Sequence, residues 1–248
     1  MTVKQLLSFD AHNSGVLVSV ALDAKGLPQW LYKSSSIKHG IERLKQEIEG
    51  AEKYSVVMCQ PRLKPQLLIE DQDSFCFRVS YLQLNKFKYN AGLPKSAALV
   101  ERALRVYADI WPAFGENACH GDFSIDNILF NGHEVVFVDW ENFTINGPPR
   151  GFDMLNLVFE QVYFSSYKFS PVRRTARIAA DLLRPYWFDE TIDKHYHDAP
   201  LQTLIDSFGL VRGVDIDTPR HPVLKFDQSK IEEIDKQLDR EFNSVPSK

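Results

Sequence analysis

The segment His120-Gly-Asp122-Phe-Ser-Ile-Asp-Asn127, followed by Val138-Asp139-Trp-Glu141, constrains this chain more than any other feature. It has the form H-x-D-x-x-x-x-N, then an acid that closes an apolar run. Asp and Asn are common in turns, and the first half alone arises by chance fairly often. The context narrows the reading. A long helical pattern precedes the segment and a hairpin pattern follows it. Glu134-Val-Val-Phe-Val138 would deliver Asp139 from a rigid strand. The fold must therefore set three oxygen-bearing side chains on loops braced by a helix and a hairpin.

Such a set suits phosphoryl transfer, which asks for positioning and charge neutralisation more than for covalent help. Asp122 is placed to accept a hydrogen bond from an attacking hydroxyl and then to take its proton. Asn127 and Asp139 offer hard oxygen ligands of the kind Mg²⁺ prefers. The expected catalytic residues are thus Asp122, Asn127 and Asp139, with Asn127 and Asp139 on the metal. His120 is expected to hold the loop rather than to touch substrate.

The first ninety residues read as β-rich. Leu6–Phe9, Val16–Leu22 and Leu27–Lys33 are strand candidates, separated by a polar loop and an Asp23-Ala-Lys-Gly26 turn. Ile41, Leu44, Ile48 and Ala51 recur at helical spacing between Ile37 and Lys53. Gln66–Ile69 and Phe75–Leu84 bracket a polar turn and suggest a hairpin. A helix is expected from Pro94 to about Trp111. Ile128–Phe130 and Val135–Val138 form a second hairpin around Asn131-Gly132. Met154–Tyr167, apolar nearly all round, reads as a buried helix. Arg173–Trp187 reads as a helix broken near Pro185, and a final amphipathic helix follows Ser229. The expected class is α+β, with a β-rich part at residues 1–83 and a mainly helical part at residues 84–248.

Cys119-His-Gly-Asp122-Phe-Ser-Ile-Asp-Asn127-Ile-Leu-Phe, with Val138-Asp139-Trp-Glu141, resembles the aminoglycoside phosphotransferase and choline kinase group. The Gly of His-Gly-Asp and the Trp-Glu after Asp139 point there rather than to protein kinases. Pro148-Pro-Arg-Gly-Phe-Asp153 is similar to the family's next element, and by that resemblance Asp153 ties the catalytic loop down. The resemblance implies a protein-kinase-like bilobal fold, with a small antiparallel β lobe and a larger helical lobe. It implies ATP and Mg²⁺ as cofactors and a hydroxyl of a small molecule as acceptor. It also assigns nucleotide-binding roles upstream. Asp10–Gly15 would cover the phosphates, with Gly15 as its one glycine. Lys33 would face the α- and β-phosphates. Glu47 would pair with Lys33, with Glu52 as the competitor. The backbone of Tyr81-Leu-Gln83-Leu84 would bind adenine.

Composition excludes other classes. A net charge of -4 without long basic runs gives no electrostatic case for nucleic acid. No apolar run is long enough to span a bilayer. The first ten residues lack the pattern of a signal peptide. Cys59, Cys76 and Cys119 are widely spaced and read as reduced thiols. A cytoplasmic protein is therefore expected. His195-Tyr-His197 lacks companions for a metal site. The acceptor stays open among sugars, amino sugars, aminoglycosides and amino alcohols. A protein kinase is disfavoured by the short segment from Asp139 to Asp153. A nucleotide-binding pseudokinase is disfavoured by the intact Asp122, Asn127 and Asp139.

Overall fold

The computed structural model describes residues 5–10, 15–86, 93–168, 172–212 and 228–243. The chain gathers into two units, Met1–Leu84 with Asp139–Phe143, and Asn85–Val138 with Thr144–Lys248. The class is α+β, with strands concentrated in the first unit and helices in the second.

The first unit is a five-stranded antiparallel sheet in the order β1-β2-β3-β5-β4. Its strands are β1 (Gln5–Asp10), β2 (Leu17–Leu22), β3 (Pro28–Ser35), β4 (Gln66–Glu70) and β5 (Phe75–Ser80). Asp23 closes the β2–β3 turn by accepting from the amides of Lys25 and Leu27, as short Asp side chains do in turns. Helix α1 (Lys38–Val57) lies between β3 and β4 in the chain. Val16, Leu44, Phe75 and Phe77 form the core, with Val18, Ile41, Ile48 and Val79 packed around it. Alternate residues of β5 thus point inward while helical spacing brings Ile41, Leu44 and Ile48 to meet them. Strand β5 ends at Ser80, short of the expected Leu84. Its last pairing is Ser80 with Trp30, after which the Tyr81 amide still donates to Gln29 O, and β3 offers beyond that only Pro28, which has no amide to donate.

The second unit carries a small antiparallel sheet, β6 (Asn85–Lys86), β7 (Ile128–Phe130) and β8 (Val135–Phe137). Its helices are α2 (Leu93–Ile110), α3 (Phe152–Lys168), α4 (Val172–Trp187), α5 (Pro200–Arg212) and α6 (Gln228–Asn243). Tyr107 of α2 stacks on Trp111 at 4.3 Å and meets Phe123 at 4.8 Å, and Phe123 meets Phe137 of β8 edge-on. The motif loop is thereby held against both α2 and the hairpin.

Two expectations need correction. Helix α4 runs unbroken through Pro185. The proline sits in the last turn, where it removes one hydrogen bond and leaves little helix beyond it to disrupt. Helix α5 has no counterpart among the elements expected from sequence, although Leu201, Leu204, Ile205 and Phe208 are buried at helical spacing behind Pro200 at its first position. Of the assigned phosphate-covering loop, residues 11–14 lie outside the described residues. Among the described residues no helix is long and apolar enough to cross a membrane.

Candidate active site

In the first unit, one cation meets two carboxylates. Lys33 on β3 extends its Nζ to Glu47 Oε1 of α1 at 2.6 Å and to Asp139 Oδ1 at 2.7 Å. Glu47, not Glu52, is the partner; Glu52 lies 3.9 Å from Lys64 instead. Glu47 is buried and the Lys33 side chain is 12% exposed, whereas the Asp139 side chain is 40% exposed. Burial works against the Lys33 charge, but Asp139 and then Glu47 outweigh it and raise its pKa. Burial pushes the Glu47 carboxyl up to about 7, against the pull of Lys33 and with a further push from Asp139. Lys33 therefore carries a firm positive charge, and Asp139 is the carboxylate open to solvent.

Asp139 reaches this position through an unusual backbone. Its φ is 66°, in the left-handed region that Asp tolerates better than most residues. The residues after it rest on α1. A Cβ built at Gly50 would come 2.8 Å from Phe143 Cγ and 2.9 Å from Trp140 Cβ, so only glycine admits this approach. Tyr54 of α1 packs on Trp140 at 5.0 Å, and Arg43 reaches Glu141 at 3.7 Å.

The other residues expected at a nucleotide fall at scattered points of the same unit. Gly15 has φ 72°, and its carbonyl accepts from Ser35 Oγ at 2.7 Å. Tyr81 is exposed and its amide donates to Gln29 O, so that amide is already engaged. Gln83 is exposed.

In the second unit, Asp122 and Asn127 stand on one loop between α2 and β7. Gly121 has φ 79°, which accounts for glycine between His120 and Asp122. The Asn127 side chain is buried and its Nδ2 donates to Asp122 O at 2.8 Å. That bond leaves Oδ1 as the atom for a cation. His120 Nε2 lies 3.1 Å from Val138 O and ties the loop to the end of β8. Buried Asp153, at the start of α3, takes the amides of His120 at 2.6 Å and Gly121 at 3.0 Å and the hydroxyl of Tyr107 at 2.7 Å. Burial pushes its carboxyl up, with His120, Tyr107 and the two amides pulling back. Asp126 is half-buried; burial raises its pKa, Lys86 opposes this and Asp122 adds to it.

Two features test the fit to a divalent ion with nucleotide. Among the described residues no group of three or more His, Cys, Asp or Glu could hold a metal alone. A bare metal cage is thus excluded there, while Mg²⁺ shared between one or two protein oxygens, phosphate and water fits the donors present. His195 N is capped by Asp193, and the His197 ring stacks on Trp187 at 4.5 Å.

Comparison with known proteins locates the signature. Curated protein sequences give no match. Among solved structures, the chain is similar to the amicoumacin kinase hAmiN in complex with AMP-PNP, Ca²⁺ and Ami, at 12% identity and TM-score 0.47, covering 98% of this chain and 89% of that one. It is also similar to a choline/ethanolamine kinase family protein from Mesorhizobium loti, at 13% identity and TM-score 0.37, covering 96% of this chain and 92% of that one. A sequence model of the phosphotransferase enzyme family (APH) matches residues 77–157, which hold the motif loop, Asp139 and Asp153. Over residues 77–157 this chain matches the phosphotransferase enzyme family, the group that its motifs resemble.

Proposed function

We propose that this protein is an ATP- and Mg²⁺-dependent kinase that transfers the γ-phosphate to a hydroxyl of a small molecule. The observation that carries the reading is Lys33 Nζ at 2.6 Å from Glu47 and 2.7 Å from Asp139. A largely buried lysine braced by a helix glutamate is suited to pair with phosphate oxygens. The acid at the end of β8 is suited to a metal. Bound Mg²⁺ and ATP would supply the phosphoryl donor and neutralise its charge, with Asn127 and Asp139 as the protein oxygens and Lys33 on the phosphates. Asp122 acts as base, accepting the acceptor hydroxyl's proton at its carboxylate. Asn127 fixes the Asp122 carbonyl through its Nδ2. Glu47 keeps Lys33 extended and charged.

A sugar or amino sugar is the favoured acceptor. Four acids in the region after Asp153 are each engaged locally. Asp181 lies 3.6 Å from Arg184, Glu190 lies 3.3 Å from Lys194, and Asp189 and Asp193 accept backbone amides. They support a mixed wall rather than the strongly acidic one a polycation would need. The test is transfer from γ-labelled ATP to panels of sugars, amino sugars, aminoglycosides and amino alcohols. Label on a small-molecule hydroxyl supports the reading. Label on generic protein substrates, or on no acceptor at all, would overturn it.

A further inference from the structure

Helix α3, apolar nearly all round by sequence, buries four polar side chains among its described ones: Asp153, Asn156, Glu160 and Gln161. The first three, at i, i+3 and i+7, share a face. Each one meets the backbone of the motif loop. Asp153 takes the amides of His120 and Gly121. Asn156 Nδ2 donates to Phe123 O at 3.1 Å. Glu160 Oε2 accepts from Ile125 N at 3.2 Å. The loop is extended here, with Ser124 at φ −119° and ψ 165°. Two extended residues advance about 6.6 Å and one helical turn about 5.4 Å, so residues 121, 123 and 125 keep pace with successive turns of α3.

We propose that Asn156 and Glu160 are positioning residues that set the register of the motif loop, with Asp153 as the first of three contacts. The catalytic consequence rests on the kinase reading above; the structural one does not. Burying a carboxylate and an amide on a helix otherwise packed with Leu155, Leu157, Val158 and Phe159 is costly unless each is bonded. The loop supplies that bond, because its buried carbonyl and amide would otherwise lack partners. Asp122 is then flanked by two held residues, Gly121 and Phe123. Asn127 follows Ile125 in the same short turn, where its amide donates to Ser124 O.

The test compares wild type, Glu160→Leu, Glu160→Gln and Asn156→Leu by amide exchange across residues 120–127, nucleotide Kd and kcat. The leucine variants should speed exchange at Gly121–Ile125 and lower kcat by about 10²-fold, as loss of positioning does. Nucleotide Kd should be unchanged. Glu160→Gln still offers an oxygen to Ile125 N–H and should keep wild-type exchange and turnover. Folded leucine variants with wild-type exchange and turnover would overturn the proposal. So would a Glu160→Gln variant as impaired as Glu160→Leu, since charge and not the hydrogen bond would then matter. If the leucine variants do not fold, Asn156→Ser and Glu160→Gln decide by the same exchange criterion. Exchange needs no substrate, so an inactive wild type would refute the kinase reading while exchange still judges this one.

Discussion

At the scale of residues, Lys33 is the group on which most depends. Two carboxylates converge on its one ammonium, and the Lys33 and Glu47 side chains are only 12% and 8% exposed. Removing the cation leaves Glu47 buried beside Asp139 with like charge. Lys33→Met should therefore cost about 3–5 kcal/mol of stability, as breaking a buried pair from one side does. It should also abolish measurable nucleotide binding, checked by denaturant unfolding and by titration calorimetry. The pH dependence of stability follows from Glu47. Its folded pKa, about 7, lies above that of an ordinary Glu. The folded state then binds the proton more tightly than the unfolded chain, so this contribution is full below about pH 4 and is lost as pH rises toward 7. Glu47→Gln, which cannot titrate, should flatten the stability profile between about pH 4 and 8. An unchanged slope would remove Glu47 as its source.

At the scale of elements, two packings make sharp demands. Helix α1 carries the Asp139–Phe143 stretch because Gly50 has no side chain. Gly50→Ala should cost about 1–3 kcal/mol through overpacking, read as a lowered Tm, despite alanine's better helix propensity. Helix α5 starts on a partner's acid. Asp235 of α6 accepts from the amides of Leu201 at 2.8 Å and Gln202 at 3.2 Å. Burial pushes its carboxyl up to about 6, against those two amides. Its folded pKa is raised, so its contribution is full below about pH 4 and is lost as pH rises through about 6. Asp235→Asn should remove that part of the slope in thermal unfolding between about pH 4 and 7. Much of this scale was legible in the sequence. The strand alternation around Val16–Leu22, the period of Ile41, Leu44 and Ile48, and the hairpin at Asn131-Gly132 are local signals that the fold obeys. What stayed hidden depends on partners distant in sequence. Asn156 and Glu160 look like exceptions in an apolar helix until the loop backbone lies beside them. Asp139 reads as the end of β8, yet it packs with β3 and α1. The Tyr81 amide looks available until Gln29 O is seen to occupy it.

At the scale of the whole molecule, the proposed chemistry divides between functions that can be lost separately. In the proposal, Lys33 and Glu47 serve the nucleotide and Asp122 serves the acceptor. The spacing of Asp122, Asn127 and Asp139 is readable in the chain because loop motifs are written in short runs. No such short run marks the acceptor, which the proposal leaves to residues outside the motif. The most direct measurement is therefore a paired one on Asp122→Asn, with nucleotide affinity and turnover read on the same preparation. The account predicts nucleotide Kd unchanged and kcat reduced by about 10²–10⁴-fold, the usual share of a general base. Turnover equal to wild type, with the same acceptor and the same nucleotide affinity, would contradict it.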